Sequence, residues 1–187
     1  MPFSILSIYD LPLLQKISAE TYLKSKYSKT NILKPIIKAE MSEVIKIGIA
    51  KSKNGEIQEV KEINVSAGKG IIGDRYFNEK NEDRNQLTLI ESENIDYYNN
   101  KFNLKIPYLN FRRNIVTQGI RLNELIGKKL IIGKTEIKGT DLCRPCKSLQ
   151  ENLGKDNIVK EFLRMGGLRC AILNSSSIKV GDEIKVL

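Results

Sequence analysis

Cys143-Arg144-Pro145-Cys146 is the segment of this chain richest in reactive groups. Two thiols three positions apart, with Arg144 and Lys147 adjacent to Cys146, suit thiolate chemistry. The thiolate is the nucleophile and the metal ligand, and neighbouring cations favour it. The motif follows a predicted strand and opens a predicted short helix over 147–153, the local setting of a thioredoxin-type redox pair. Two features oppose that reading. No proline follows Pro145, so no cis-proline can face the thiols from downstream, and the βαβ units that frame such sites are missing. A zinc pair would need two more ligands, and only Cys170 and carboxylates remain. Burial of the two cysteines as small side chains stays open.

The second set of chemical groups is the arginines. The chain of 187 residues carries 31 Lys+Arg against 22 Asp+Glu, a formal charge of +9. Few of the cations are arginines, yet Arg75, Arg112, Arg113, Arg144 and Arg169 all fall in motifs. The planar guanidinium fork suits phosphate and carboxylate oxygens better than the point charge of lysine does. Gly68-Lys69-Gly70-Ile71-Ile72-Gly73 matches G-x-G-x-x-G. A dinucleotide site needs a buried strand before this motif and a helix after it. Here the preceding strand alternates and a charged loop over 74–84 follows. The motif therefore reads as a glycine-rich turn, with Arg75 directly behind it. In Phe111-Arg112-Arg113-Asn114-Ile115-Val116-Thr117, a strand opening on two arginines would place Arg112 and Asn114 on one face and Arg113 on the other. Such an opening is costly to bury without anions, and is otherwise an exposed strand start.

Composition excludes whole classes of mechanism. There is no histidine, so Ser-His-Asp and Cys-His machinery, His-ligated zinc and axial-His haem are ruled out. Three cysteines are too few for an all-cysteine iron–sulfur cluster or a disulfide scaffold. An odd number without a secretion signal points to a reducing, cytoplasmic compartment. No run of 18 apolar residues is present, so no membrane span is expected. Surplus lysine reads as a solvated surface. Without a basic stripe interleaved with aromatics, no specific nucleic-acid partner is expected.

The elements that must position these groups are mostly strands. Ile45, Ile47 and Ile49 alternate at period two, Asn54-Gly55 signals a hairpin, and 57–65 reads as the returning strand. Further strands are predicted over 86–90, 113–117, 129–132, 135–138, 168–173 and 178–187, with a turn at Gly181-Asp182. Residues 93–102 read as a helix, and Asp156 is a candidate N-cap for another through Phe162. Many short strands with few helices predict a mainly β (α+β) domain closed into a barrel. The break at Lys34-Pro35 and the absence of motifs before Met41 divide the chain. Residues 1–40 read as an N-terminal extension, either poorly ordered or an upstream reading of the start codon, and 41–187 as the domain.

In order along the chain, the motifs resemble the MOSC family, the domain found at the C-terminus of molybdenum cofactor sulfurases. The matching segments are Gly73-Asp74-Arg75, Gln86-Leu87-Thr88-Leu89-Ile90-Glu91, Arg113-Asn114-Ile115-Val116-Thr117 and Gly139-Thr140 leading to Pro145-Cys146-Lys147-Ser148-Leu149. Gly167-Leu168-Arg169 and Gly181-Asp182-Glu183-Ile184 complete the series. The resemblance implies a MOSC-type β-barrel with a few peripheral helices, and a molybdenum cofactor of the molybdopterin type. It implies Cys146 as the molybdenum ligand and catalytic residue. It also implies Lys51, Ser52, Arg75, Arg112, Asn114 and Arg169 as cofactor-binding residues, with Lys51-Ser52 on the pterin phosphate. Three departures stand out: Tyr76 follows Gly-Asp-Arg where many relatives have His, the first 40 residues cannot form the additional N-terminal β-barrel domain of larger relatives, and the pyridoxal-phosphate domain of the sulfurases is absent. Cys143 is not required by the family pattern.

The function so implied is an oxidoreductase reducing an N-oxygenated small molecule. Its electrons would come from a reductase or ferredoxin-like partner. A sulfur carrier using a Cys146 persulfide, served by a sulfurtransferase, is the first alternative. A non-catalytic basic binding module is the second.

Overall fold

The computed structural model describes residues 41–187, and the expectations for 1–40 lie outside the described residues. The chain first forms β1 (Glu43–Ile49), β2 (Gln58–Val60), β3 (Glu62–Ser66) and β4 (Gly70–Ile71). A loop then leads to β5 (Leu87–Glu91) and α1 (Ser92–Lys101). β6 (Ile115–Gln118), β7 (Lys129–Ile132) and β8 (Thr135–Leu142) follow. Two short helices, α2 (Lys147–Leu153) and α3 (Ile158–Glu161), precede β9 (Leu168–Ile172), β10 (Ser176–Lys179) and β11 (Ile184–Val186). Single 3₁₀ turns lie at Asp83–Asn85, Tyr108–Phe111 and Leu122–Leu125.

One eight-stranded sheet runs β11-β7-β8-β9-β5-β6-β1-β2, and a three-stranded sheet runs β10-β3-β4. Every pair is antiparallel except β5–β6. The large sheet closes on itself. The Val44 N–H donates to the Asp182 carbonyl at 3.0 Å, and the Ile184 N–H to the Ser42 carbonyl at 2.7 Å, joining the approach to β11 to the start of β1. Closure satisfies edge groups that an open sheet would leave exposed. The interior is filled by alternate residues of the wall: Leu87 and Leu89, Leu168 and Cys170, Leu130 and Ile132, and from the small sheet Ile63, Val65 and Ile178. The mainly β barrel with peripheral helices is thus the observed architecture.

β5 and β6 are buried on both faces. Leu89 and Ile115 point into the barrel, while Ile90 and Val116 pack outward against Ile95, Tyr98, Phe111, Leu149 and Phe162. This second, aromatic-rich layer seats the helices on the barrel wall, and the site lies beside it.

Several local expectations change. A bulge between Val44 and Lys46 breaks the alternation of β1, so Ile47 faces the barrel and Ile45 packs on the outer layer. The single returning strand over 57–65 is two, because the chain passes from the large sheet to the small one at Lys61. The strand expected to open at Arg113 starts at Ile115. Arg112 instead caps a 3₁₀ turn in the left-handed region, with φ 59° and ψ 33°. The helix expected from Asp156 is the single turn α3, and its N-cap is Asn157.

Candidate functional site

A cleft of about 280 Å³ lies outside the barrel, lined by groups that come from distant parts of the sequence. Thr88 of β5 is the register partner of Arg169 of β9, and both alternate with barrel-facing residues. Asn114 precedes β6, Arg75 follows the glycine-rich turn, and Cys146 caps α2. Five of the residues assigned by resemblance meet here: Arg75, Arg112, Asn114, Cys146 and Arg169. Lys51 and Ser52 do not line it. They lie exposed on the loop after β1, and their neighbours Lys53 and Asn54 reach the cleft instead.

Arg75 is the group most plainly made for a ligand. Its side chain is 7% exposed, and its nearest carboxylate oxygen, on Asp74, stands 3.7 Å from Nη1. That Nη1 has no hydrogen-bond partner. Buried polar groups are nearly always bonded, so an orphaned cationic donor on a cleft wall calls for an anion. Tyr76 places its ring centroid 4.9 Å from the guanidinium carbon. This cation–π contact fixes the plane of Arg75 without using its N–H groups.

Behind Arg75 stands a hydrogen-bonded frame. Asp74 Oδ2 accepts from the Ala50 N–H at 3.1 Å, and Oδ1 from the Tyr76 N–H at 3.1 Å. Asn114 donates from Nδ2 to the Gly48 carbonyl at 3.3 Å and to Asp74 Oδ2 at 3.5 Å. Its Oδ1 accepts from Thr88 Oγ1 at 2.8 Å. Asn114 therefore spends its amide on joining β1, β5 and the Asp74 turn, and acts on the cleft by holding that frame.

Arg112 and Arg113 divide two roles that adjacency in sequence conceals. Arg112 donates from Nη1 to the Gly55 carbonyl at 3.0 Å and from Nη2 to the Lys53 carbonyl at 2.9 Å, strapping the 51–55 loop over the cleft. Burial, and then the like charge of Arg75, pull its guanidinium below the ordinary range. Arg113 is buried and fully engaged with the carbonyls of Gly166, Phe111 and Cys143 at 2.8, 3.1 and 3.0 Å. The anion thought necessary to bury Arg113 is replaced by three backbone acceptors.

The cysteines separate by environment. Cys146 is exposed at the cleft, Cys143 is 2% exposed, and Cys170 is sealed in the barrel. Burial pushes the Cys170 thiol far up. Among the described residues no group of three or more His, Cys, Asp or Glu is placed to hold a metal ion. What this wall offers a metal is one accessible cysteine sulfur, which suits an ion that arrives with most of its ligands. An anionic phosphate group fits Arg75. The cleft thus pairs a donor for an anionic group with a sulfur that a metal could take.

Sequence reasoning did not assign site roles to Asp74, Thr88 or Tyr76, and it read Arg144 only as a cation near Cys146, not as a wall of the cleft. Asp74 and Thr88 stood inside quoted motifs, but only the fold shows them bracing Arg75 and Asn114. No helix among the described residues is long and apolar enough to cross a membrane.

The MOSC domain model matches residues 75–185, and the chain belongs to the MOSC domain family. Related members of this family bind molybdenum cofactor. Among solved structures, the YuaD protein of Bacillus subtilis matches with a TM-score of 0.68 and 19% identity, over 78% of this chain and 96% of that one. YiiM of Geobacillus stearothermophilus matches with a TM-score of 0.65 and 15% identity, over 78% and 75%. YiiM of Escherichia coli matches with a TM-score of 0.60 and 16% identity, over 78% and 69%. At such identities the likeness is one of fold. A comparison with curated proteins finds no match.

Proposed function

We propose that the cleft binds a molybdopterin-type cofactor and that the chain is an oxidoreductase reducing an N-oxygenated small molecule. The observation that carries this reading is the orphaned, buried Nη1 of Arg75 in the same cleft as the exposed thiol of Cys146. Arg75 would hold the cofactor phosphate, with Lys53 of the strapped loop beside it. Cys146 would supply the metal's protein ligand. When bound, the cofactor supplies a metal centre that exchanges electron pairs and oxygen. The Asp74–Asn114–Thr88 frame keeps Arg75 in place, and Arg112 holds the loop that covers the phosphate end. The net reaction takes two electrons from a partner reductase or ferredoxin-like protein and two protons from water, and releases the substrate oxygen as water.

The test is metal and pterin analysis of the chain purified from molybdate-fed cells. Arg75→Ala and Cys146→Ser should each retain about tenfold less molybdenum than wild type, with unchanged thermal unfolding. Arg75→Lys should recover part of the loss, because the point charge lacks the fork. Full occupancy in Arg75→Ala would refute the assignment. The exposure of Cys146 beside Arg144 and Lys147 also suits a sulfur carrier. That reading predicts a persulfide mass on Cys146 in metal-free protein, and the same samples decide between the two.

A further inference from the structure

The cationic lining of the cleft lies in two places. At one end, Arg75 is tied to the end of β1, its N–H donating to the Ala50 carbonyl at 2.7 Å, and Arg112 is tied to the loop that follows. At the other end, Arg169 belongs to β9, and Arg144 follows β8. In the sheet, β5 and β6 separate β9 from β1. Three strand spacings put the two backbones roughly 14 Å apart. The two sets of arginines therefore enter the cleft from opposite sides.

Little inside the protein neutralises these charges. Arg112 and Arg113 bond to carbonyls alone. Arg169 donates from Nη1 to the Arg84 carbonyl at 3.1 Å and to Asn85 Oδ1 at 3.4 Å. Arg144 meets Asp141 only at 3.8 Å, and Asp141 also faces Arg84 at 3.9 Å. No Asp or Glu lines the cleft. Arg75 and Arg144 each meet one carboxylate only at long range, Asp74 at 3.7 Å and Asp141 at 3.8 Å, so the recess keeps a positive excess that concentrates anions.

This inference rests on the cofactor reading above. With the cofactor phosphate on Arg75, the Arg144 end remains for the substrate. We infer that this end selects a small N-oxygenated compound carrying a carboxylate or phosphate group, with Arg144 as the specificity-determining residue that receives it. Arg144 stands two positions before Cys146, and its side chain is 61% exposed and held by nothing closer than Asp141. It is free to turn onto a ligand while Arg169, fixed by the Arg84–Asn85 turn, supplies a standing positive field. Ser148 and Asn152 of α2 line the same recess and offer neutral hydrogen bonds.

The experiment measures binding, so it does not require turnover. Benzamidoxime, its 4-carboxy derivative and its 4-phosphate ester are titrated calorimetrically into the purified full chain, as wild type and as Arg144→Ala, Arg144→Lys, Arg75→Ala and Arg121→Ala. The charged compounds should bind wild type about tenfold more tightly than benzamidoxime, and added salt should erode the difference. Arg144→Ala should collapse the preference and Arg144→Lys should restore part of it, whereas Arg121→Ala, at the residue before the Leu122–Leu125 turn and outside the cleft lining, should keep it. The stronger of the two charged ligands identifies the anion. Equal binding of all three compounds overturns the inference. So does a preference lost in Arg75→Ala but kept in Arg144→Ala, which would place the anion at the cofactor end. Absence of molybdenum would defeat the cofactor reading on metal analysis alone, while the Arg144-dependent preference would still stand or fall by calorimetry.

Discussion

Arg113 shows how a charge is buried without a counter-ion. Its three carbonyl partners come from the 3₁₀ turn before β6, the glycine pair before β9 and the strand end at Cys143. Arg113→Met would fill similar space but leave three acceptors unpaired, and should cost about 3 kcal/mol in urea unfolding. A second residue-level expectation concerns the thiols. Iodoacetamide should modify Cys146 first, Cys143 slowly and Cys170 only on unfolding, because burial disfavours the Cys170 thiolate. Mass analysis of peptides over time reads the order, and equal rates would contradict the burial described. The split between Arg112 and Arg113 was not legible in the sequence. Alternation predicts opposite faces of one strand, but a left-handed residue at 112 redirects the chain, and nothing in the residue type announces it. Arg75 and Cys146 were legible because they stand in motifs whose chemistry is their own. Lys51 and Ser52 were carried over from the resemblance, and it is their neighbours Lys53 and Asn54 that line the cleft.

At the level of elements, the site depends on how closely β5 and the start of β9 approach. Gly167 has φ 103°, and a Cβ there would collide with the Leu89 carbonyl oxygen. Both the backbone conformation and the space exclude a side chain. Gly167→Ala should therefore destabilise the fold by about 3 kcal/mol or more, and should also lower cofactor content, since Thr88 and Arg169 are positioned by the same pair of strands. A stability close to wild type in denaturant titration would contradict this geometry. Most strands could be read from alternation and turn residues, as with the hairpin about Gly133, although its second strand runs on from the expected 135–138 to Leu142. The passage between sheets at Lys61 could not: the apolar residues change phase between Val60 and Ile63, but the choice of partner strand on each side is made by residues far away in sequence.

For the whole molecule, the formal charge of +9 and the cluster of arginines predict that anions stabilise the folded state. Phosphate should raise the melting temperature above the effect of chloride at equal ionic strength. Saturation to a hundredfold over Kd corresponds to about 2.7 kcal/mol. Arg75→Ala should lose most of that increment, and an equal rise in the variant would show that the effect belongs to the general surface. The pairing of β5 with β9 has a consequence for how the protein is made. Leu87 meets Cys170, and Leu89 meets Leu168, across some eighty intervening residues. Contacts of that span fold slowly, on the order of milliseconds to seconds, because loop closure precedes the reward. During synthesis, β5 waits beside its parallel partner β6 with one edge bare until β9 emerges, and a nascent chain arrested before residue 168 has no cleft at all. Loading of a ligand is thereby restricted to a finished domain, and the exposed edge of β5 is where a chaperone or a misfolded neighbour would first take hold.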